Sequence, residues 1–464
     1  MNPHIFREYD VRGIVDEDLD ADTVRTLGRA FGTYAARAGA RTCAVGRDCR
    51  LSSPALARAF SEGLLAAGID AIDVGQAPTP LLYFAVHHLP ADAGVMVTGS
   101  HNPPEYNGFK VQIGAASLYG SQILALRDIA ERGDFASGSG RRTEADVVAP
   151  YLAYVRDNIR LARTDLRLVV DGGNGVAGNV GAAAMRGVGL RPVELYCEPD
   201  GRFPNHHPDP TVPENLRDLI TRVRSERADA GIAYDGDGDR LGVVDERGDI
   251  MWGDRLLTLF ARAVLAEAPG AAIIGEVKCS QTLFDDVARR GGRPILWRTG
   301  HSLIKAGMRE EGAMLAGEMS GHIFFAHRYL GYDDAIYSSL RLAEILAAER
   351  RPLSDLLSDL PRTVTTPEIR IDCPDEAKFG VVRRVLDAYR QREGVRVVDV
   401  DGARVHFDSP RGWGLVRASN TQPVLVVRFE AEDEAGLEAI RNDVEREIAA
   451  ATSGRTRRLP TADC

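Results

Sequence analysis

The sequence predicts an α/β protein: three similar α/β units followed by a smaller α+β unit. Three observations carry the prediction. A short apolar strand runs into a small-residue turn three times: residues 91–97 before Thr98-Gly99-Ser100, residues 228–234 before Asp235-Gly236-Asp237, and residues 312–315 before Ala316-Gly317-Glu318. Aligned on those strands, Ser100, Asp237 and Glu318 are equivalent, each on a polar loop at the carboxyl end of a strand, where open α/β sheets bind ligands. The copies are irregularly spaced, which excludes a solenoid. Finally, 464 residues hold about three or four domains with ample core, and 44% hydrophobic and 27% charged residues is ordinary globular composition.

The units follow in order. The first, 1–148, closes on a flexible polar stretch at residues 136–142. The second, 149–250, opens on a helix near Tyr151 and reaches a strand at residues 166–170. The third, 251–362, begins after the turn Glu246-Arg247-Gly248-Asp249. Residues 361–367, bounded by Pro361 and Pro367, mark the linker to the fourth unit, 363–452, whose alternating segments read as α+β. Residues 453–464, with Arg455, Arg457 and Arg458, read as a solvated, disordered tail.

Charge narrows the function. The net charge is −10 and no long basic run exists, so nucleic acid is not an expected partner. No apolar run is long enough to span a membrane, and no signal peptide is visible. Six cysteines without a Cys-x-x-Cys pair point to reduced thiols and a cytoplasmic location. An anionic substrate must then be drawn by local cations, for which Arg12, Lys110, Arg240, Lys278 and Arg417 are candidates.

Three loops carry the chemistry. In the run from Thr98 to Lys110, a small-residue turn presents the Ser100 hydroxyl beside His101, while Pro103 and Pro104 stop the strand and stiffen the turn. A serine so presented can carry a covalent group, and Lys110 is expected further along the same loop. In Asp235-Gly236-Asp237-Gly238-Asp239-Arg240, three carboxylates alternate with two glycines. Packed like charges repel, so the loop calls for a cation, and all-oxygen ligation suits Mg²⁺. An EF-hand is excluded because Arg240 stands where its glycine is required and a strand follows where its helix would begin. The loop Arg417-Ala418-Ser419-Asn420-Thr421 offers a guanidinium, two hydroxyls and an amide, a set suited to a phosphate dianion.

One motif points to another class. Gly173-Asn174-Gly175-Val176-Ala177-Gly178 follows a strand and opens a helix, with Glu194 about 20 residues on, as in a dinucleotide-binding fingerprint of an NAD-dependent oxidoreductase. The competing reading is a tight strand-to-helix turn, which the other loops favour. A metal-dependent phosphatase and a non-catalytic sugar-phosphate sensor are further alternatives.

Taken together, the serine, aspartate and arginine loops, with Tyr9-Asp10-Val11-Arg12-Gly13, Gly275-Glu276-Val277-Lys278-Cys279, the run Thr299 to Lys305 and Gly317-Glu318-Met319-Ser320-Gly321-His322, resemble the α-D-phosphohexomutase superfamily. The bacterial phosphomannomutase/phosphoglucomutase branch fits best, with phosphoglucosamine mutase as the alternative branch. The resemblance runs almost end to end. It implies three α/β domains with mixed sheets and a smaller C-terminal domain around a central cleft. It implies that Ser100 carries a phosphoryl group exchanged with a hexose 1- or 6-phosphate through a hexose 1,6-bisphosphate. Mg²⁺ would be held by Asp235, Asp237, Asp239 and the phosphorylated Ser100. Arg12, Lys110 and Arg240 would surround the reacting phosphate, with His101, Lys110 and His301 as unranked candidates for proton transfer. Tyr9, Lys278, Gly300, His301, Glu318, Met319, Ser320, Gly321 and His322 would meet the sugar. Arg417, Ser419, Asn420 and Thr421 would hold the phosphate that is not reacting.

Overall fold

Three of the four sheets in the computed structural model share one strand order, and this shared order places the functional loops. The structure describes residues 1–420 and 422–453; Thr421 and the expected tail from residue 454 lie outside the described residues. The first sheet runs Val11–Ile14, Tyr106–Ile113, Ala93–Val97, Thr42–Arg47, Asp70–Gln76. The second runs Ile250–Met251, Leu241–Asp245, Ala230–Tyr234, Leu168–Asp171, Val193–Leu195, and the third Tyr332–Asp333, Ile323–Phe325, Leu315–Gly317, Ala272–Glu276, Arg293–Trp297. In each, the central strand is parallel to one neighbour and antiparallel to the strand that follows it in sequence. Each functional loop therefore joins the central strand to its antiparallel partner. The central strands Ala93–Val97 and Ala230–Tyr234 are buried at every position, as continuous apolar runs with both faces covered require.

The first helix pair shows how tightly those faces are covered. Asp20 caps Ala21–Arg37 by accepting from Thr23 N–H. This helix meets Ser53–Ala66 through glycines: a Cβ on Gly28 would lie 2.1 Å from the Phe60 carbonyl, and one on Gly63 would lie 2.2 Å from that of Arg25. Beneath them Phe60 stacks on Phe109 with ring centres 4.9 Å apart, within a core that includes Phe31, Val45 and Val95.

Several sequence expectations are corrected here. Lys110 is not on the serine loop but on the strand Tyr106–Ile113, opposite Met96, because pairing resumes as soon as the prolines are passed. The polar stretch 136–142 is fastened rather than flexible. Gly138 and Gly140 N–H groups bond to the Ala66 and Leu65 carbonyls, and Arg142–Glu144 adds a strand to the first sheet. The second-unit strand begins at Leu168 rather than at 166, and the third central strand begins at Leu315, since Gly312 caps the preceding helix in a left-handed conformation. Within the supposed linker, Val364–Thr365 is a strand paired to Val424–Ala431.

By contact density the chain divides into two compact units. One comprises Met1–Gly275, Asp285–Ile295 and Gly300–Ser358; the other comprises Glu276–Phe284, Leu296–Thr299 and the chain from Asp359. The second is built on an antiparallel sheet ordered Val364–Thr365, Val424–Ala431, Gly412–Ala418, Ala403–Phe407, Val395–Val398. Helices Asp375–Arg390 and Glu434–Thr452 supply Val381, Val385, Ile440 and Val444 to its core. Among the described residues no helix is long and apolar enough to cross a membrane.

Within this second unit Lys278 Nζ lies 3.0 Å from Glu368 Oε2. Burial pushes the Glu368 carboxyl up, but the Lys278 ammonium outweighs it and holds the carboxyl down at about 2. A depressed carboxyl contributes stability that is complete above its unfolded value, near 4.5, and is lost as pH falls through about 2. Glu368→Gln should therefore lower unfolding free energy at pH 7 by on the order of 1–3 kcal/mol. In urea titrations the gap from wild type should close as pH falls below about 4; a gap constant down to pH 2 contradicts the pairing.

Candidate functional site

Ser100 holds a conformation few serines adopt: its φ is +50°. The left-handed turn lets its N–H meet Thr98 Oγ1 at 2.8 Å and lifts its hydroxyl out of the loop. Ser100 Oγ lies 3.1 Å from Asp235 Oδ2 and 3.2 Å from His101 Nδ1. Arg12, on the neighbouring strand, donates to Asn102 Oδ1 at 2.8 Å and to Asp10 Oδ2 at 2.5 Å, which sets it beside the same loop. Burial, with Arg240 and Arg12 nearby, pushes the His101 imidazole well below its ordinary value, so it is neutral at pH 7.

The three-aspartate loop curls around its own first residue. Asp235 Oδ1 accepts the N–H groups of Gly238, Asp239 and Arg240 at 2.9, 3.0 and 3.1 Å, leaving Oδ2 for the serine. Gly238 has φ +78°, and a Cβ on Gly236 would stand 2.4 Å from the Ser100 carbonyl, so both glycines are required for the curl and for the close approach. All three carboxylates are fully buried and their ligand atoms lie within 4.8 Å of one another. Lys110 Nζ reaches Asp237 Oδ2 at 2.7 Å and Asp239 Oδ2 at 2.5 Å, and Thr79 Oγ1 donates to Asp237 at 2.6 Å. The other oxygens, Asp237 Oδ1 and Asp239 Oδ1, are buried with no hydrogen-bond partner. Burial and the neighbouring Asp239 and Asp237 hold the Asp235 carboxyl well above the usual carboxylate range. Orphaned oxygens and surplus negative charge are what a hard divalent cation removes, so the donor set fits Mg²⁺.

The third loop is tied to the second. Leu241 N–H donates to the Gly321 carbonyl at 2.9 Å, and Gly321, at φ +94°, has no space for a Cβ against the Leu241 carbonyl. Glu318 Oε1 accepts from Gly300 N–H and Oε2 from Ser320 Oγ, both at 2.8 Å. Met319 lies between them in sequence and is half-buried. Tyr9 packs on Gly300, where a Cβ would fall 2.4 Å from its ring, and meets the His301 ring edge-on at 5.9 Å. His301 stacks on His322 at 5.8 Å; burial and the Lys305 ammonium push its imidazole well below its ordinary value. His322 Nε2 takes a hydrogen bond from Arg240 Nε at 3.0 Å, so Nε2 carries the lone pair and Nδ1–H faces Asp333 Oδ2 at 3.0 Å. Burial pulls the His322 imidazole down, but Asp239 and Asp333 outweigh it and raise it above its ordinary value; the hydrogen bond from Arg240 Nε still requires a lone pair on Nε2.

The first unit thus gathers Tyr9, Arg12, Ser100, His101, Lys110, the three aspartates, Arg240, Gly300, His301, Glu318, Ser320, Gly321 and His322. Met319 belongs to the same unit, and the second unit gathers Lys278, Arg417, Ser419 and Asn420. Arg417 Nε donates to Asp401 Oδ2 at 3.0 Å, which also accepts Thr299 N–H at 3.0 Å. Glu276 Oε2 accepts Lys278 N–H and Thr299 Oγ1, both at 2.8 Å, so the Lys278 segment, Thr299 and Arg417 form one hydrogen-bonded set. Ser419 is buried and Asn420 half-buried at the end of the strand Gly412–Ala418. Sequence reasoning missed Thr79, Asp333 and the pair Asp48 and Arg50. The last pair had a signal, since Arg47-Asp48-Cys49-Arg50 leaves a strand as charged residues where an ordinary turn would be neutral.

The Gly173-Asn174-Gly175 turn is filled by protein. Val176 N–H donates to the Gly236 carbonyl at 3.1 Å, and a Cβ on Gly175 would meet that carbonyl oxygen at 2.7 Å. Glu194 pairs with Arg186. The glycines seat the three-aspartate loop, which leaves no room there for a pyrophosphate.

Comparison with known proteins agrees with this geometry. Four models of phosphoglucomutase/phosphomannomutase match in order: alpha/beta/alpha domain I over residues 3–137, domain II over 149–248, domain III over 252–364 and the C-terminal domain over 368–447. A phosphomannomutase/phosphoglucomutase of Pseudomonas aeruginosa is 48% identical over 449 residues, 97% of this chain and 96% of that protein. A phosphoglucomutase of Neisseria gonorrhoeae is 45% identical over 441 residues, 94% of this chain and 95% of that protein. The crystal structure of a phosphoglucomutase/phosphomannomutase family protein from Burkholderia thailandensis superposes with TM-score 0.92 at 46% identity, covering 98% and 99% of the two chains. The chain belongs to the phosphoglucomutase/phosphomannomutase family.

Proposed function

We propose that this enzyme interconverts hexose 1-phosphates and hexose 6-phosphates, of mannose and glucose, with Ser100 carrying the phosphoryl group and a hexose 1,6-bisphosphate as the bound intermediate. The observation that carries the reading is a single hydroxyl, turned out of a left-handed loop, 3.1 Å from a cluster of three buried aspartates. A dinucleotide enzyme has no use for that pairing. We further propose residues 1–148, 149–250, 251–362 and 363–452 as its four domains, and the cytoplasm, where its thiols stay reduced, as its location.

Asp235, Asp237 and Asp239, with an oxygen on Ser100, would hold Mg²⁺, which when bound withdraws charge from a phosphoryl group in transit. The protein's own groups do the remainder. Lys110, its ammonium held well above the ordinary value by Asp237 and Asp239 against the pull of burial, stays charged and acts as a fixed cation rather than a proton carrier. Neutral His101, 3.2 Å from Ser100 Oγ, is the proposed acceptor of the Ser100 hydroxyl proton when the serine regains its phosphate. His301, also neutral, is the candidate for the sugar hydroxyl, because the His322 lone pair is engaged by Arg240. Glu318 and Ser320 are proposed to hold sugar hydroxyls, and Tyr9, Lys278, Gly300, Met319, Gly321 and His322 are further proposed substrate contacts. Glucosamine phosphate is the alternative substrate; a coupled assay in which glucosamine 1-phosphate outruns mannose 1-phosphate and glucose 1-phosphate would reassign the branch.

Intact-mass analysis of fresh protein should show a partly populated phospho-form mapping to the peptide around Ser100. Ser100→Ala should fold normally and lose most activity; full activity without added bisphosphate sinks the covalent mechanism.

EDTA should abolish turnover and Mg²⁺ should restore it. Asp237→Asn should depress kcat far more than it raises KM, because a cation held there would act on the transferring group rather than on ground-state binding. Activity indifferent to chelation rules out the metal reading.

Arg417, Ser419 and Asn420, with Thr421 beyond the described residues, are proposed to hold the second phosphate. A desolvated guanidinium–phosphate pair is worth on the order of 2–4 kcal/mol, so Arg417→Ala should raise KM by roughly tens to hundreds of fold. An unchanged KM removes the loop from the binding site.

A further inference from the structure

We propose that Arg50 is a positioning residue of the phosphoryl-transfer step: it holds the serine loop so that Ser100 Oγ keeps its geometry, without itself touching substrate. The proposal rests on the reading of Ser100 as phosphoryl carrier.

Every N–H of the Arg50 side chain is used, and its side chain is 0% exposed. Nη1 donates to the carbonyls of Pro103 at 2.6 Å and Tyr106 at 3.0 Å. Nη2 donates to those of Ser100 at 2.9 Å and Asn102 at 2.6 Å. Nε faces Asp48 Oδ2 at 3.2 Å, and that oxygen also accepts Gly99 N–H at 3.2 Å. Asp48 is anchored in turn by Ser53 Oγ at 2.5 Å. One planar cation thus holds four carbonyls of a loop that runs from Ser100 to Tyr106, and its counter-ion holds the residue before the serine.

That arrangement answers a local need. The loop lies between two strands and has few backbone bonds of its own, Asn102 N–H to Gly99 and Tyr106 N–H to Pro103. Ser100 is an L-residue in left-handed backbone, a state that persists only where the surroundings over-determine it. Its carbonyl is fixed between the Arg50 guanidinium and Gly236 of the metal loop. Released from Arg50, the turn can relax, and the hydroxyl leaves the line set by Asp235 and His101. Misplacement of a reacting atom by an ångström costs rate rather than ground-state binding. A lysine cannot replace the fork, since its three donors on one point charge cannot meet two carbonyl pairs and Asp48 together.

The test uses the full-length protein, phosphorylated with glucose 1,6-bisphosphate, with Ser100 occupancy verified by intact mass. Phosphoryl transfer to mannose 1-phosphate is then followed in a single turnover. Arg50→Lys should carry phosphate and show a wild-type circular dichroism spectrum, with KM within about threefold but transfer slowed roughly a hundredfold. Gly99→Ala keeps the charge but places a methyl 2.5 Å from Arg50 Cζ, displacing the guanidinium. It should show the same loss of kcat at constant KM, and it decides the question where Arg50→Lys does not fold. Wild-type transfer in either folded variant, or a defect in KM alone, overturns the proposal. A wild type that never takes phosphate on Ser100 refutes the carrier reading instead, so the two failures are distinguishable.

Discussion

The first unit is organised by an electrostatic conflict: three fully buried aspartates within 4.8 Å of one another. Charges this close and this far from water cannot all be left uncompensated. The protein answers part of the conflict itself. Lys110 neutralises one oxygen of Asp237 and one of Asp239, and three backbone N–H groups spend one oxygen of Asp235 on the loop's own curl. What remains unanswered is one oxygen from each aspartate, two orphaned and one facing a serine. The residual deficit, not the acidity as such, is what fits the cluster to a cation.

A second theme is the use of buried cations beneath functional loops. Arg50 gathers four carbonyls of the serine loop. Lys378 donates to the carbonyls of Ser419 at 2.5 Å and Gln422 at 3.1 Å. Arg404 donates to those of Val277 and Cys279 on either side of Lys278, and Arg428 to that of Lys278 itself. Arg404 also lies 3.9 Å over the Trp413 ring, which shields it. Three loops proposed to meet anions are thus anchored from within, each by one or two long basic side chains that gather its carbonyls.

Loop chemistry was legible in the sequence because it is local. Alternating aspartate and glycine, or a serine after a strand and before two prolines, constrains a few adjacent bonds, and the structure places Ser100, Asp237 and Glu318 after corresponding strands as the internal comparison required. What was not legible was what those loops rest on. Arg50 is half a hundred residues before the serine it supports, and Thr79 is further still from Asp237. Lys110 looked like a loop residue because prolines and glycine surround it; its true position depends on pairing with Met96, which no local pattern reveals. The polar stretch 136–142 misled for the opposite reason: its glycines are not there for freedom but for contact, Gly138 leaving only 2.5 Å between its would-be Cβ and Gly68.

The repeated strand order explains how one architecture yields three different loops. A hairpin joins the central strand of each sheet to an antiparallel neighbour, so the loop can change without disturbing the parallel core behind it. The loops then meet through backbone as well as through side chains. Leu241 N–H bonds to Gly321, Val176 N–H bonds to Gly236, and Gly236 approaches the Ser100 carbonyl too closely for any Cβ. Backbone contacts at these junctions leave neighbouring side chains free to differ from loop to loop, as the proposed roles of Ser100, Asp237 and Glu318 require. They also explain why glycine recurs at each junction. A methyl there would separate the loops by more than a hydrogen bond can span, and the serine would lose its place beside the aspartates before any residue that performs the chemistry had changed.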